Sequence, residues 1–314
     1  MSPPSTNETD RLGASRWRGQ TGRVEVWYAT FTDQAGTGYW IHHELVAPSS
    51  GQPAFGHGWA AVFPEGEAPT LERFRSDSVS VRDPQCWFGA GDVHIGKDAM
   101  VGATDGIRWD LGFTDPGAPL YTFPKGVWER EVLPAAQIVP WPRARISGTM
   151  TIGGGSRRID AVGAVARIYG HGNAQRWCWL HADIDHDTLL EAVCAVARRP
   201  GLRALPPLAM VRLRRTGHDD WPPRPVVGAL RLRAHIDAGE FTISGTVAGS
   251  HLRAHVRLPT ERCVTLEYQD PDGATATCTN SERADADITL VDRSGSLSRW
   301  ELAGRAHAEI GRRP

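Results

Sequence analysis

Glycine and proline interrupt this chain so often that long helices have almost no room in it. There are 34 Gly and 22 Pro in 314 residues. Turn residues recurring at a spacing of about 8–12 residues are what an all-β sandwich or barrel requires. Between them lie short runs rich in Val, Ile, Thr, Trp and Phe, such as "RVEVWYATFT", "GYWIHHELVAP", "IRWDLGFT" and "RWCWLHADI". About fifteen such runs meet the criteria for strands. Several alternate: Val24, Val26 and Tyr28 fall on one face, Glu25 and Trp27 on the other. A helix has plausible spacing only at "LLEAVCAVARR" (189–199), where the valines and the preceding "DIDHD" turn favour the second arm of a hairpin.

The fold class expected is therefore all-β, and the length exceeds the roughly 100–200 residues of one domain. The proline-rich segment "LPAAQIVPWPRAR" (133–145) is the best boundary, because proline cannot donate to a central strand. It is expected to be extended and to lie outside the sheets. The division that follows is a disordered tail over 1–20, a β-domain over 21–140 and a second over 141–314. "RTGHDDWPPRP" (215–225) reads as a long loop, and "GGG" (153–155) as a hairpin turn. No repeat marks a propeller or solenoid.

A net charge of −1 with no basic stripe gives nucleic-acid binding no electrostatic basis. No apolar run is long enough for a transmembrane helix, and the polar first 20 residues lack the core of a signal peptide. Five scattered cysteines without a Cys-x-x-Cys argue against a disulfide framework or zinc ribbon, and a cytoplasmic location is the simplest expectation. No phosphate-cradling loop or dinucleotide fingerprint occurs, so no cofactor is expected. In "HHE", His43 faces away from His42 and Glu44, and two ligands do not make a metal site.

The chemistry concentrates in "YGHGNAQRWCWLHAD" (169–183). Taken as a strand, 177–184 puts Trp177, Trp179, His181 and Asp183 on one face and Cys178, Leu180, Ala182 and Ile184 on the other. The second face suits a packed core. The first suits a ligand with an apolar body and one polar group, or else an amphipathic face half covered by a loop. A hairpin turn at 185–188 would carry Glu191 into the sheet. There it is either a buried acid of raised pKa or one half of an ion pair. Upstream, His171 and Asn173 stand beside glycines in a tight loop. His171 is either an acid or base near neutral pH, or a histidine that merely bonds a neighbouring strand.

From about 145 to the C-terminus the sequence resembles the tocopherol cyclase family. Through it, the chain resembles the lipocalin-like group that includes carotenoid 1,2-hydratases and AttH-type proteins. The anchors, in order, are "RRIDAVGAVARIYGHGNAQRWCWLHADI", "RRPGLRALPPLAMVRLR", "DPDGATATCTNSERADADITLVDR" and "WELAGRAHAEIG". Upstream, "GYWIHHELVAP", "GWAAVFPEG" and "IRWDLGFT" resemble the first domain of that group more loosely. The resemblance implies two lipocalin-like β-barrel or sandwich domains and a hydrophobic ligand. Members protonate or hydrate isoprenoid double bonds or steer cyclisation. Gln175, Arg176, Trp177 and Trp179 carry over from the family's Pro-Arg-Lys-Trp-x-Trp. The acidic residue and Trp of the run before it do not, since this chain reads "RIYGHGN" there.

Together these readings predict a cofactor-independent cyclase, isomerase or hydratase of an isoprenoid or polyketide-like molecule. His171 or Glu191 would donate the proton, assisted by Tyr169 and His181. Trp177 and Trp179, with Asn173, Gln175 and Arg176, would bind the ligand. The alternative is a non-catalytic lipocalin-type binder, distinguished by having no acid or histidine beside the tryptophans. A structural β-protein filled by its own side chains is a third reading.

Overall fold

The computed structural model describes residues 6–81, 86–114, 117–199 and 201–314, so residues 1–5 of the expected tail lie outside the description. Strands make up 61% of the chain, arranged as two nearly closed, barrel-like sheets, which is the architecture of two lipocalin-like domains. The first sheet holds β1 (Arg23–Asp33), β2 (Gly38–Ala47), β3 (Phe55–Phe63), β4 (Thr70–Ser76), β5 (Val79–Ser80) and β6 (Cys86–Ala90). It continues with β7 (Val93–Gly96), β8 (Ala99–Ala103), β9 (Ile107–Thr114), β10 (Ala135–Ile152) and β11 (Gly155–Gly170). Its order is β4-β3-β2-β1-β11-β10-β9-β8-β7-β6-β5.

The second sheet comprises β12 (Arg176–Asp183), β13 (Thr188–Val196), β14 (Leu208–Arg215), β15 (Arg233–Ile236) and β16 (Glu240–Val247). β17 (Ser250–Arg257), β18 (Val264–Gln269), β19 (Thr275–Val291) and β20 (Leu297–Arg312) complete it. The order is β14-β13-β12-β20-β19-β17-β16-β15, with β18 also pairing with β19. Among the described residues the helices are short: α1 (Thr6–Gly13), α2 (Lys125–Arg130) and α3 (Pro225–Arg231). None of them is long and apolar enough to cross a membrane.

Alternation explains the cores. In β9, Ile107, Trp109, Leu111 and Phe113 are buried, and the residues between them are not. They meet Trp27, Ala29 and Phe31 of β1 and Ile41 of β2 in the first core. The second core takes Cys178, Leu180 and Ala182 from β12, opposite Leu190, Ala192 and Cys194 of β13. That face of β12 is the one assigned to packing by parity, and 189–196 is the expected hairpin arm rather than a helix. The "GGG" turn is also found: Gly153 and Gly154 adopt φ of 55° and 84° between β10 and β11, a region glycine enters without strain.

Four expectations change. The compact units divide at Gly172/Asn173 instead of near 140, with residues 122–125 grouped with the second unit and 269–274 with the first. The proline-rich segment does not lie outside the sheets; it is the start of β10. Pro140 and Pro142 are accommodated by two register shifts against β11, at Ile138/Trp141 and Trp141/Ala144. Bulges leave such positions out of the ladder, so the missing N–H costs no strand bond. Residues 6–20 are no tail either. Leu12 is buried, Trp27 Nε1 donates to the Gly13 carbonyl at 2.7 Å, and Ser15 Oγ donates to Glu25 at 2.7 Å. Finally, α3 forms inside the expected loop, with Pro225 in its first turn, where no N–H is needed.

Candidate functional site

Strand register sorts the chemistry of the second unit into three rows on one sheet face, opposite its apolar core. Residues directly paired across antiparallel strands share a face. Trp177 of β12 pairs with Ala195, and on its other side with Gly311 of β20, which pairs with Cys278 of β19. The next row runs Val193, Trp179, Glu309 and Asn280. The third runs Glu191, His181 and His307, and Glu282 reaches His307 from β19. Gly311 is a requirement of this packing, because a Cβ there would collide with the Trp177 ring.

The rows are knitted by hydrogen bonds between aromatic and acidic groups. Trp177 Nε1 donates to Glu309 at 2.6 Å, and Trp179 Nε1 donates to Glu191 at 2.8 Å. The other Glu191 oxygen lies 2.8 Å from His181 Nδ1, and His307 Nδ1 lies 2.5 Å from Glu282. A carboxylate accepts only, so both imidazoles present N–H from Nδ1. The His181 and His307 rings are 5.8 Å apart. His181, Glu191, Glu282 and Asn280 are wholly buried, and His181 Nε2 has no hydrogen-bond partner. Burial pushes the Glu309 carboxyl upward. Hydrogen bonds from Trp177 and Cys278 oppose this and the charge of Glu282 adds to it, leaving the group at about 7.

The structure thus joins three of the residues singled out by sequence, Trp179, His181 and Glu191, with Trp177 one row away. Glu191 is buried and holds an indole and an imidazole. Asn173, Gln175 and Arg176 sit at the start of β12. Gln175 is half-buried and bonds the Val196 carbonyl through its backbone N–H, and Arg176 is exposed. His171 and Tyr169 belong to the first unit. His171 is exposed, with Nδ1 2.8 Å from the carbonyl of Gly22, the residue just before β1. Tyr169 is buried against Trp128, and burial and the Glu131 charge raise its hydroxyl to about 12. Sequence reasoning missed Glu309, His307, Glu282 and Asn280. The parity of "RAHAEIG" could have grouped His307 with Glu309, but only register brings them to Trp177 and Trp179.

The first unit carries a related group, also opposite its core. His42 Nε2 lies 3.1 Å from Glu44, as expected from their shared face, and the His42 ring stacks on Trp59 at 3.9 Å. His57 of β3, unforeseen, stands 3.7 Å from the same carboxylate. Burial alone would raise Glu44, but the charge of His57 and the hydrogen bond from His42 outweigh it and bring the group down to about 2. His43 faces the core, and burial lowers it to about 3. Among the described residues no group of three or more His, Cys, Asp or Glu could hold a metal ion.

Two barrel-like sheets, one carrying indole–carboxyl–imidazole rows on its polar face, define a lipocalin-like protein with a built polar site. A family model described as tocopherol cyclase-like matches residues 109–312, and the chain belongs to that family. Curated relatives from two strains of Mycobacterium tuberculosis, both uncharacterized proteins, are 44% identical over 309 residues, covering 98% of this chain and 92% of theirs. Among solved structures, kievitone hydratase from Nectria haematococca aligns with a TM-score of 0.59 at 11% identity, over 95% of this chain and 91% of that one. A putative AttH from Nitrosomonas europaea aligns with a TM-score of 0.56 at 13% identity, over 92% of each. These two likenesses concern the fold.

Proposed function

We propose that the protein is a cofactor-independent hydratase, cyclase or isomerase that protonates a hydrophobic small molecule, isoprenoid or polyketide-like, on the polar face of the second unit. One observation carries this reading: the indole of each tryptophan, Trp177 and Trp179, is hydrogen-bonded to an acid. A passive apolar binder has no use for titratable groups beside its aromatic wall, and burying them costs stability. Family membership and the hydratase among the structural neighbours agree with a reaction of this class.

His181 is the proton donor. Glu191 engages its Nδ1 and fixes its orientation, and Nε2 is left to give its proton to a double-bond carbon. Trp177 and Trp179 stabilise the cation that forms by cation–π attraction. Glu309, poised at about 7, is the base that takes the proton from an attacking water or hydroxyl, or from the neighbouring carbon. These roles move the donor from His171 or Glu191 to His181, with Glu191 as its orienting partner, and give Tyr169 no part in the transfer. The five cysteines are free thiols, which supports a reducing, cytoplasmic setting.

The test is turnover of a panel of isoprenoid and polyketide-like substrates in deuterium oxide, read by mass spectrometry. The reading expects one deuterium at carbon in the product, lost in H181Q. If no substrate acquires carbon-bound deuterium, the non-catalytic binder takes its place.

A further inference from the structure

Every acid in the three rows is engaged, but one polar side chain among them is not. Asn280 is wholly buried, and both its Oδ1 and its Nδ2 lack a hydrogen-bond partner. A buried amide left unbonded is expensive, and native proteins retain few of them. Asn280 pairs directly with Glu309 in the ladder, and Glu309 pairs with Trp179, so the three stand side by side on one face. We infer that Asn280 is the recognition residue for a neutral, oxygen-bearing head group, a hydroxyl or carbonyl, on an otherwise apolar ligand.

The chemistry of the neighbours selects that head group. A side-chain amide offers two donors and one acceptor, which suit a hydroxyl or a carbonyl oxygen. An anionic head would stand among Glu191, Glu282 and Glu309, a like-charge encounter in a desolvated setting. A hydrocarbon would leave the amide as unsatisfied as it is without ligand. Sites built to bond an oxygen reject analogues that lack it far more strongly than apolar pockets separate two hydrocarbons. The substrate is accordingly an oxygenated molecule and not a bare polyene.

This inference rests on the proposed function only for the location of the ligand, so its test reads binding and not turnover. Farnesol, its hydrocarbon counterpart farnesene and the anion farnesoate are titrated into the full-length protein, followed by tryptophan fluorescence and calorimetry. Wild type is expected to bind farnesol at least about tenfold more tightly than either of the others. Asn280→Leu, close in volume, should bind farnesol and farnesene equally. Without ligand its Tm should rise by about 2 °C or more, because an unsatisfied amide has been removed. Asn280→Ala serves as the second variant and should also lose the preference. Failure of wild type to bind farnesol, equal binding of the three ligands, or a preference that survives both substitutions overturns the inference. Loss of turnover with the preference intact would remove the reaction and leave the recognition. Loss of the preference with turnover intact would do the reverse.

Discussion

The two units carry the same residue types on the face opposite their cores and set them to opposite charge states. In the first, Glu44 is flanked by two histidines and stays a carboxylate down to about pH 2. In the second, Glu309 is capped by the Trp177 indole, lies near a second acid, and takes up its proton at about 7. Burial pushes both carboxyls upward, so the neighbours decide the outcome. Two potential cations overcome burial; two neutral donors set against a like charge do not. The packing differs in degree only: His42 lies flat on Trp59 with ring centroids 3.9 Å apart, and His181 lies nearly parallel to Trp179 at 6.4 Å. A carboxylate held ionised suits structure, and a carboxyl that takes up its proton at about 7 suits proton transfer.

The sharpest way to break this contrast is to truncate an imidazole in the second unit. His181→Ala should lower kcat/KM by roughly 10²–10⁴, the usual worth of a positioned acid. It also leaves the buried Glu191 without its imidazole, so the urea-unfolding midpoint should fall too, and activity is read where the variant is still folded. Equal loss on truncating His42 would erase the distinction. In the first unit the effect should fall on stability. Glu44→Ala leaves the buried His42 and the partly buried His57 without their carboxylate and should cost about 3–5 kcal/mol in equilibrium unfolding, with kcat retained. That stabilisation is fully present above the ordinary value of 4.5 and lost as pH falls toward about 2.

Glu309 runs the other way. Its value in the folded protein, about 7, lies above the ordinary 4.5, so the native state binds the extra proton between those limits and stability falls as pH rises through them. Glu309→Gln should flatten that slope, worth about 3 kcal/mol, in unfolding curves recorded from pH 4.5 to 8. An unchanged slope would show that the carboxyl is solvated. The smallest effect is expected at Trp179→Phe, which removes one donor to Glu191. The loss should be about 1 kcal/mol, measured by urea denaturation.

Much of this architecture was written locally. The parity of "WCWLHAD" assigned core and polar faces correctly, because in a strand each residue's side is settled by its own position in the pleat. The turns at 153–155 and 185–188 were equally legible, since glycine and Asp-rich stretches stop strands through their own backbone preferences. The prolines of "IVPWP" misled for a related reason. They forbid a ladder bond at their own positions, but only the partner strand decides whether a bulge absorbs the gap. His171 looked functional because it stands between glycines; the Gly22 carbonyl it meets lies 149 residues away in sequence.

By itself, then, the sequence determined that this is an all-β chain, which strand faces are apolar, and that Trp177, Trp179 and His181 share a face. Tertiary structure alone decided which acids those side chains meet. Glu191 comes from the hairpin partner, Glu309 and His307 from β20, and Asn280 and Glu282 from β19, these four about a hundred residues or more downstream of β12. Register between strands depends on the pairing of the whole sheet, and the proton affinity of each carboxyl depends on neighbours that only register supplies.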